Sequence, residues 1–159
     1  MMADGNKSPA LSLKSASVLI VEDQNFVREL LSRLLTSLSI PKVSSARSAE
    51  DALNNLESDP DLANVLIVDF ELPGMNGVKF IETLRASAHH QLKEMPVIML
   101  TGHNDLTLYR DAARLGISAF LVKPAGPGTL KAALEEALAG RRVTVPRLAV
   151  DQQPPSDKV

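Results

Sequence analysis

The chain has neither cysteine nor tryptophan among its 159 residues. Without thiols it can form no disulfide, thiolate nucleophile or sulfur-ligated zinc site, as expected of a cytosolic protein. One Tyr and four Phe leave an aliphatic, Ala-rich core to be expected. Charge of one sign is lacking too: a net charge of -2 argues against general affinity for nucleic acid. No apolar run approaches the ~20 residues that span a bilayer. The opening MMADGNKSPALSLKSAS lacks the continuous apolar segment and cleavage-like end of a secretory signal, so a cytoplasmic location is expected.

What is present centres on Val65 to Gly77, VLIVDFELPGMNG. Four apolar residues, three of them β-branched, stop at Asp69 and then break into Pro73, Gly74 and Gly77. So short an apolar run bounded by turn residues reads as a fully buried strand of a parallel sheet. Asp69 then ends that strand, on the rim where open α/β sheets bind ligands. Alone, an Asp there is more simply a turn former. Three other strand-like runs also stop at polar residues: Val18 to Val21 before Glu22 and Asp23, Val97 to Leu100 before Thr101, and Phe120 to Val122 before Lys123. Acid pair, acid, hydroxyl and amine converge on one rim.

The remaining elements follow from periodicity. Residues 1–15 read as a disordered leader. The first strand, Ser17 to Val21, precedes a helix with Phe26, Val27, Leu30, Leu31, Leu34, Leu35 and Leu38 on an apolar face. Lys42 to Ala46 is a second strand, and Ser48 with Asp51 opens a short second helix that ends before Pro60. Val78, Ile81 and Leu84 mark a third helix. The stretch around His89 and His90 reads as a solvated loop, since adjacent histidines on a helix point apart and share no metal. A fourth helix runs from Leu106 to Leu115 and closes at Gly116; a fifth carries Leu130, Leu134, Ala137 and Leu138 and stops at Gly140. Five strands alternating with five helices imply one α/β domain, residues 16–140, a parallel sheet with helices on both faces. Residues 141–159 read as a flexible tail, its Arg141 and Arg142 as a solvated pair.

These residues, in this order at the ends of a βα repeat, give the chain its resemblance to the receiver domains of two-component response regulators. The marks are Glu22 and Asp23, Asp69 followed by PGMNG, Thr101 before a small residue, and Phe120 three residues ahead of Lys123 and Pro124. The resemblance runs from about Ser17 to Gly140. It implies a flavodoxin-like (βα)5 sheet with strand order 2-1-3-4-5, and magnesium-dependent transfer of a phosphoryl group from a histidine kinase or histidine phosphotransfer protein to Asp69. It further implies self-catalysed hydrolysis in place of enzymatic turnover, output by phosphorylation-dependent binding to a protein partner, and a cis bond before Pro124. By the family pattern Asp23, Asp69 and the backbone carbonyl of Glu71 hold the metal, Glu22 assists through water, and Lys123 and Thr101 meet phosphoryl oxygens.

The chemistry requires these residue types. Clustered carboxylates repel by about 1 to 4 kcal/mol per close pair, so the rim favours a divalent cation. Magnesium suits all-oxygen ligation, and phosphoryl transfer needs mainly positioning and charge neutralisation. Glu71 and His103 occupy places that in the family tune phosphoryl lifetime. Thr101 is expected to swing toward an acquired phosphoryl group and let Phe120 rotate inward, with Tyr109 as an anchor on the surface so redrawn. Other readings are a haloacid-dehalogenase-like phosphatase and the receiver fragment of a larger regulator. The phosphatase chemistry expects the nucleophile first, a second Asp two residues on and the acid pair last; here the acid pair comes first and residue 71 is Glu.

Overall fold

The structure is a computed structural model and describes residues 12–102 and 106–143. The chain alternates β1 (Ser17–Val21), α1 (Asn25–Ser37), β2 (Lys42–Ala46), α2 (Ala49–Ser58), β3 (Val65–Asp69), α3 (Gly77–Arg85), β4 (Val97–Thr101), α4 (Leu106–Ala113), β5 (Ala119–Val122) and α5 (Pro127–Leu138). All strand pairs are parallel, and the sheet order is β2-β1-β3-β4-β5. This is the flavodoxin-like arrangement that the family resemblance implies.

Strand periodicity divides the core in two. Leu19, Val21, Leu66, Val68, Val97 and Met99 face the side covered by α2, α3 and α4. Val18, Ile20, Val65, Ile67, Ile98 and Leu100 face α1 and α5. Alternate side chains leave a strand on opposite faces, so the central strands must be apolar throughout, and every residue of β3 and β4 is buried. Each such Val, Leu or Ile contributes about 1.5–3 kcal/mol on burial. Helix starts follow local chemistry: Ser48 accepts from the Asp51 amide at 3.0 Å and Asn76 from the Lys79 amide at 2.9 Å.

Four expectations are corrected. On α1 only Leu31 and Leu35 are fully buried, while Phe26 and Leu30 stand 77% and 51% exposed. At ~100° per residue Phe26 lies about 140° around the axis from Leu31, so one flat sheet cannot cover both. The expected loop at the histidines contains a helical turn, His90–Lys93, pinned by buried Leu92. The end of the expected leader is ordered as a 3-10 turn, Leu13–Ser15, with Leu13 against the α1/α5 side of the core; residues 1–11 lie outside the described residues. Arg142 is docked rather than solvated, donating to the Gly116 and Glu94 carbonyls at 2.8 and 2.9 Å. The tail beyond residue 143 also lies outside the described residues. Among the described residues no helix is long and apolar enough to cross a membrane.

Candidate functional site

The polar strand endings meet because the parallel ladder continues past each strand. Glu22 donates its amide to the Ala46 carbonyl, Phe70 to Leu100, and Lys123 to Thr101, at 3.1, 2.7 and 2.7 Å. Asp69 is paired in register with Leu100, and Thr101 with Val122. Glu22, Asp23 and Asp69 each bring a carboxylate oxygen within 4.8 Å of the others. The Lys123 ammonium bridges two of them, 3.3 Å from Glu22 Oε1 and 3.2 Å from Asp69 Oδ1. Backbone donors fix the carboxylates: the Glu71 amide donates to Asp69 Oδ1 at 3.1 Å and the Gln24 amide to Glu22 Oε2 at 3.0 Å.

Electrostatics show an excess of negative charge. Burial, reinforced by the Asp69 charge, holds the Glu22 carboxyl above its usual range even though the Gln24 amide and Lys123 pull it down. Burial opposes the Lys123 ammonium, but Asp69 and Glu22 together outweigh it and raise its pKa. One ammonium thus faces three carboxylates. The set is all oxygen, hard and clustered, which fits magnesium better than a soft or nitrogen-seeking metal. Glu22, Asp23 and Asp69 would hold such an ion.

The loop after Asp69 is built for close approach. A Cβ on Gly77 would lie 2.9 Å from the Asp69 carbonyl oxygen and 3.0 Å from Phe70 Cα, so only glycine lets α3 start against the end of β3. Gly74 takes φ +73°, and the Glu50 carboxylate accepts from the Met75 amide at 3.2 Å, tying this loop to α2. Sequence reasoning missed Glu50, whose only signal was its place in the first turn of α2. It also missed Arg28, which donates to the Glu22 carbonyl at 2.9 Å and fastens α1 to the rim. The Lys123–Pro124 bond is cis, as the resemblance implies.

Thr101 is fully buried at the rim. Phe120 is already inside, 3% exposed, with its ring 4.7 Å from Tyr109 and 6.3 Å from Phe70. Tyr109 is 2% exposed and thus forms part of this aromatic stack, not a surface anchor, in this conformation. Glu71 reaches the opposite lip, where a Cβ on Gly102 would sit 3.8 Å from its Oε1. His103 lies outside the described residues.

Known proteins share both the sequence and this architecture. The family model described as the response regulator receiver domain matches residues 18–135. A probable chemotaxis protein CheY of Rhizobium etli is 36% identical over 118 residues, 74% of this chain and 88% of that protein. Chemotaxis protein CheY1 of Helicobacter pylori J99 is 31% identical over 121 residues, 76% of this chain and 95% of that one. Among solved structures, a putative response regulator from Chloroflexus aurantiacus superposes with TM-score 0.71 at 31% identity, covering 79% of this chain and 99% of that one. Vibrio cholerae CheY4 gives TM-score 0.69 at 28% identity, covering 77% and 98%. The order of acids, hydroxyl and amine along the rim and the extent of these matches lead to one conclusion: the chain belongs to the response regulator receiver domain family.

Proposed function

We propose that this receiver takes a phosphoryl group onto Asp69 from a phosphohistidine donor and signals through protein contacts that depend on that group. The observation that carries the reading is the Lys123 ammonium held 3.2 Å from Asp69 and 3.3 Å from Glu22 over a three-carboxylate cluster. A cation so placed serves an oxyanion that joins Asp69, and Thr101 puts a hydroxyl on the same rim. In the transfer, an Asp69 oxygen forms the new P–O bond as the P–N bond to the donor imidazole breaks, and the electron pair leaves with the imidazole. Lys123 balances charge on the equatorial oxygens, and the Glu71 amide orients Asp69. Magnesium, when bound, supplies the remaining positive charge. Hydrolysis by water returns the carboxylate and releases inorganic phosphate, with Glu71 at the lip and His103, two residues after Thr101 in the sequence, setting its rate; the chain is then the modified product rather than a turnover enzyme.

The donor is a histidine kinase or histidine phosphotransfer protein, and exposed Phe26 and Leu30 give it an apolar foothold beside the rim. A stand-alone role in the cytoplasm belongs to the same proposal; the relatives matched over 88% and 95% of their own length support its receiver part. The phosphatase alternative loses to the family match. A thermal-shift titration tests the reading. Magnesium with beryllofluoride should raise the unfolding midpoint of wild type, about 2.7 kcal/mol of stabilisation at a hundredfold excess over Kd, and leave Asp69→Asn unmoved. Equal shifts in both proteins would contradict it.

A further inference from the structure

The amino-terminal end of the sheet holds a second charged cluster, formed in part by residues beyond the 18–135 that match the family. After α5 the chain turns at Gly140, φ +82°. The Gly140 amide donates to the Ala137 carbonyl and the Arg141 amide to Glu136, both at 3.0 Å, a complete Schellman turn. It redirects the chain across the foot of the sheet: α5 packs on the α1 side, whereas Val143 packs on the α2–α4 side. There the Val143 amide donates to Ile117 at 2.9 Å. Arg142 grips Gly116 at 2.8 Å and Glu94 at 2.9 Å through their carbonyls, with the Glu94 carboxylate 3.7 Å away. Arg85 takes the Leu115, Lys93 and Gly116 carbonyls at 2.8, 3.0 and 3.2 Å. The two guanidiniums thus share the Gly116 carbonyl and collect backbone acceptors left where α4 ends and where β4 and β5 begin.

β4, α4 and β5 form one unit. Its top carries Thr101 and Lys123, its middle the Tyr109–Phe120 stack at 4.7 Å, and its foot the acceptors gripped by Arg142. We propose that Arg142 and Val143 act as a clasp that couples the C-terminal segment of the chain to the phosphoryl state of Asp69 through this unit. The proposal rests on the phosphoacceptor reading. A group bound at Asp69 draws on Thr101 and Lys123 at the top of β4 and β5, and any resettling of α4 between them changes the foot. Such coupling is reciprocal: what phosphorylation does to the clasp, loss of the clasp does to phosphoryl-site affinity by the same factor.

The test uses the full chain with magnesium and beryllofluoride. Hydrogen exchange at the Val143 amide should change about fivefold or more on beryllofluoride binding, and Arg142→Ala should shift beryllofluoride affinity by a matching factor. Arg142→Lys, unable to span both carbonyls, should behave like Arg142→Ala. Should Arg142→Ala fail to fold, the wild-type exchange measurement decides alone. Beryllofluoride binding to wild type with unchanged Val143 exchange overturns the clasp and leaves the phosphoacceptor reading standing; no binding at all overturns both.

Discussion

The two ends of this sheet handle charge in opposite ways. At the carboxyl rim, Glu22, Asp23 and Asp69 crowd together and the Lys123 ammonium pairs with only Glu22 and Asp69, so negative charge is left over. At the amino-terminal end, Arg85 and Arg142 also crowd together, and burial followed by the Arg142 charge lowers the Arg85 pKa to about 10. Yet their donors reach five carbonyl contacts and the Glu94 carboxylate. Charges satisfied by backbone acceptors hold a fold together, whereas charges left over make a place for something else to bind. The excess at the carboxyl rim leaves a cluster that could hold a cation, and the satisfied end is an anchor.

The largest contrast should come from Lys123→Ala. Removing the cation aimed at the incoming group should slow labelling by a small phosphodonor about 10²–10³-fold. Magnesium binding should persist, because no carboxylate is lost; a labelling rate within a few-fold of wild type would erase the distinction between the ends. Two glycines sharpen it next. Gly77→Ala forces a methyl group against unyielding backbone at 2.9 Å and should cost about 3 kcal/mol in denaturant unfolding, with impaired labelling. Gly116→Ala meets φ +73° and the flexible tip of Arg142 at 2.7 Å. It should cost about 1 to 2 kcal/mol, less in an Arg142→Ala background, and change labelling with a small donor far less than Lys123→Ala does.

Within the carboxyl rim, pH separates the acid from the amine. Glu22 holds its proton more tightly folded than unfolded, so its contribution to stability is full below its ordinary value of 4.5 and is lost as pH rises through the folded value. Stability of the magnesium-free protein, followed by thermal unfolding, should therefore fall across that window less steeply in Glu22→Gln than in wild type. Lys123 acts at the other extreme: its stabilisation is present below 10.5 and is lost as pH climbs through its raised folded value. The smallest effect is expected at Ser39, which follows α1 at φ +66°. Ser39→Gly should relieve that strain and stabilise by about 0.5 to 1 kcal/mol, part of the gain being offset by the entropy of the unfolded chain. Labelling should not change.

The carboxyl rim was legible in the sequence because each of its groups directly follows a short apolar run, and a parallel ladder carries strand ends to one edge. The sheet order and the cis bond at Pro124 came from the family resemblance, since local pattern specifies neither. The amino-terminal end was not legible. Arg142 is an ordinary tail arginine until Gly140 turns it back onto Gly116 and Glu94, acceptors far away in sequence. Phe26 and Leu30 fitted the helical period, but period alone does not say how wide a face the sheet covers. Tyr109 read as a surface residue because its burial depends on Phe120, which arrives from a different strand.

The most direct test of the central claim locates the phosphoryl group itself. The protein is incubated with magnesium and a small phosphodonor, and the adduct is mapped by peptide mass spectrometry in wild type and Asp69→Asn. One acid-stable, base-labile phosphoryl group is expected on the peptide containing Asp69, suppressed by chelating magnesium or by Asp23→Ala and absent from Asp69→Asn. A label that persists in Asp69→Asn, or that maps to another residue, would contradict it.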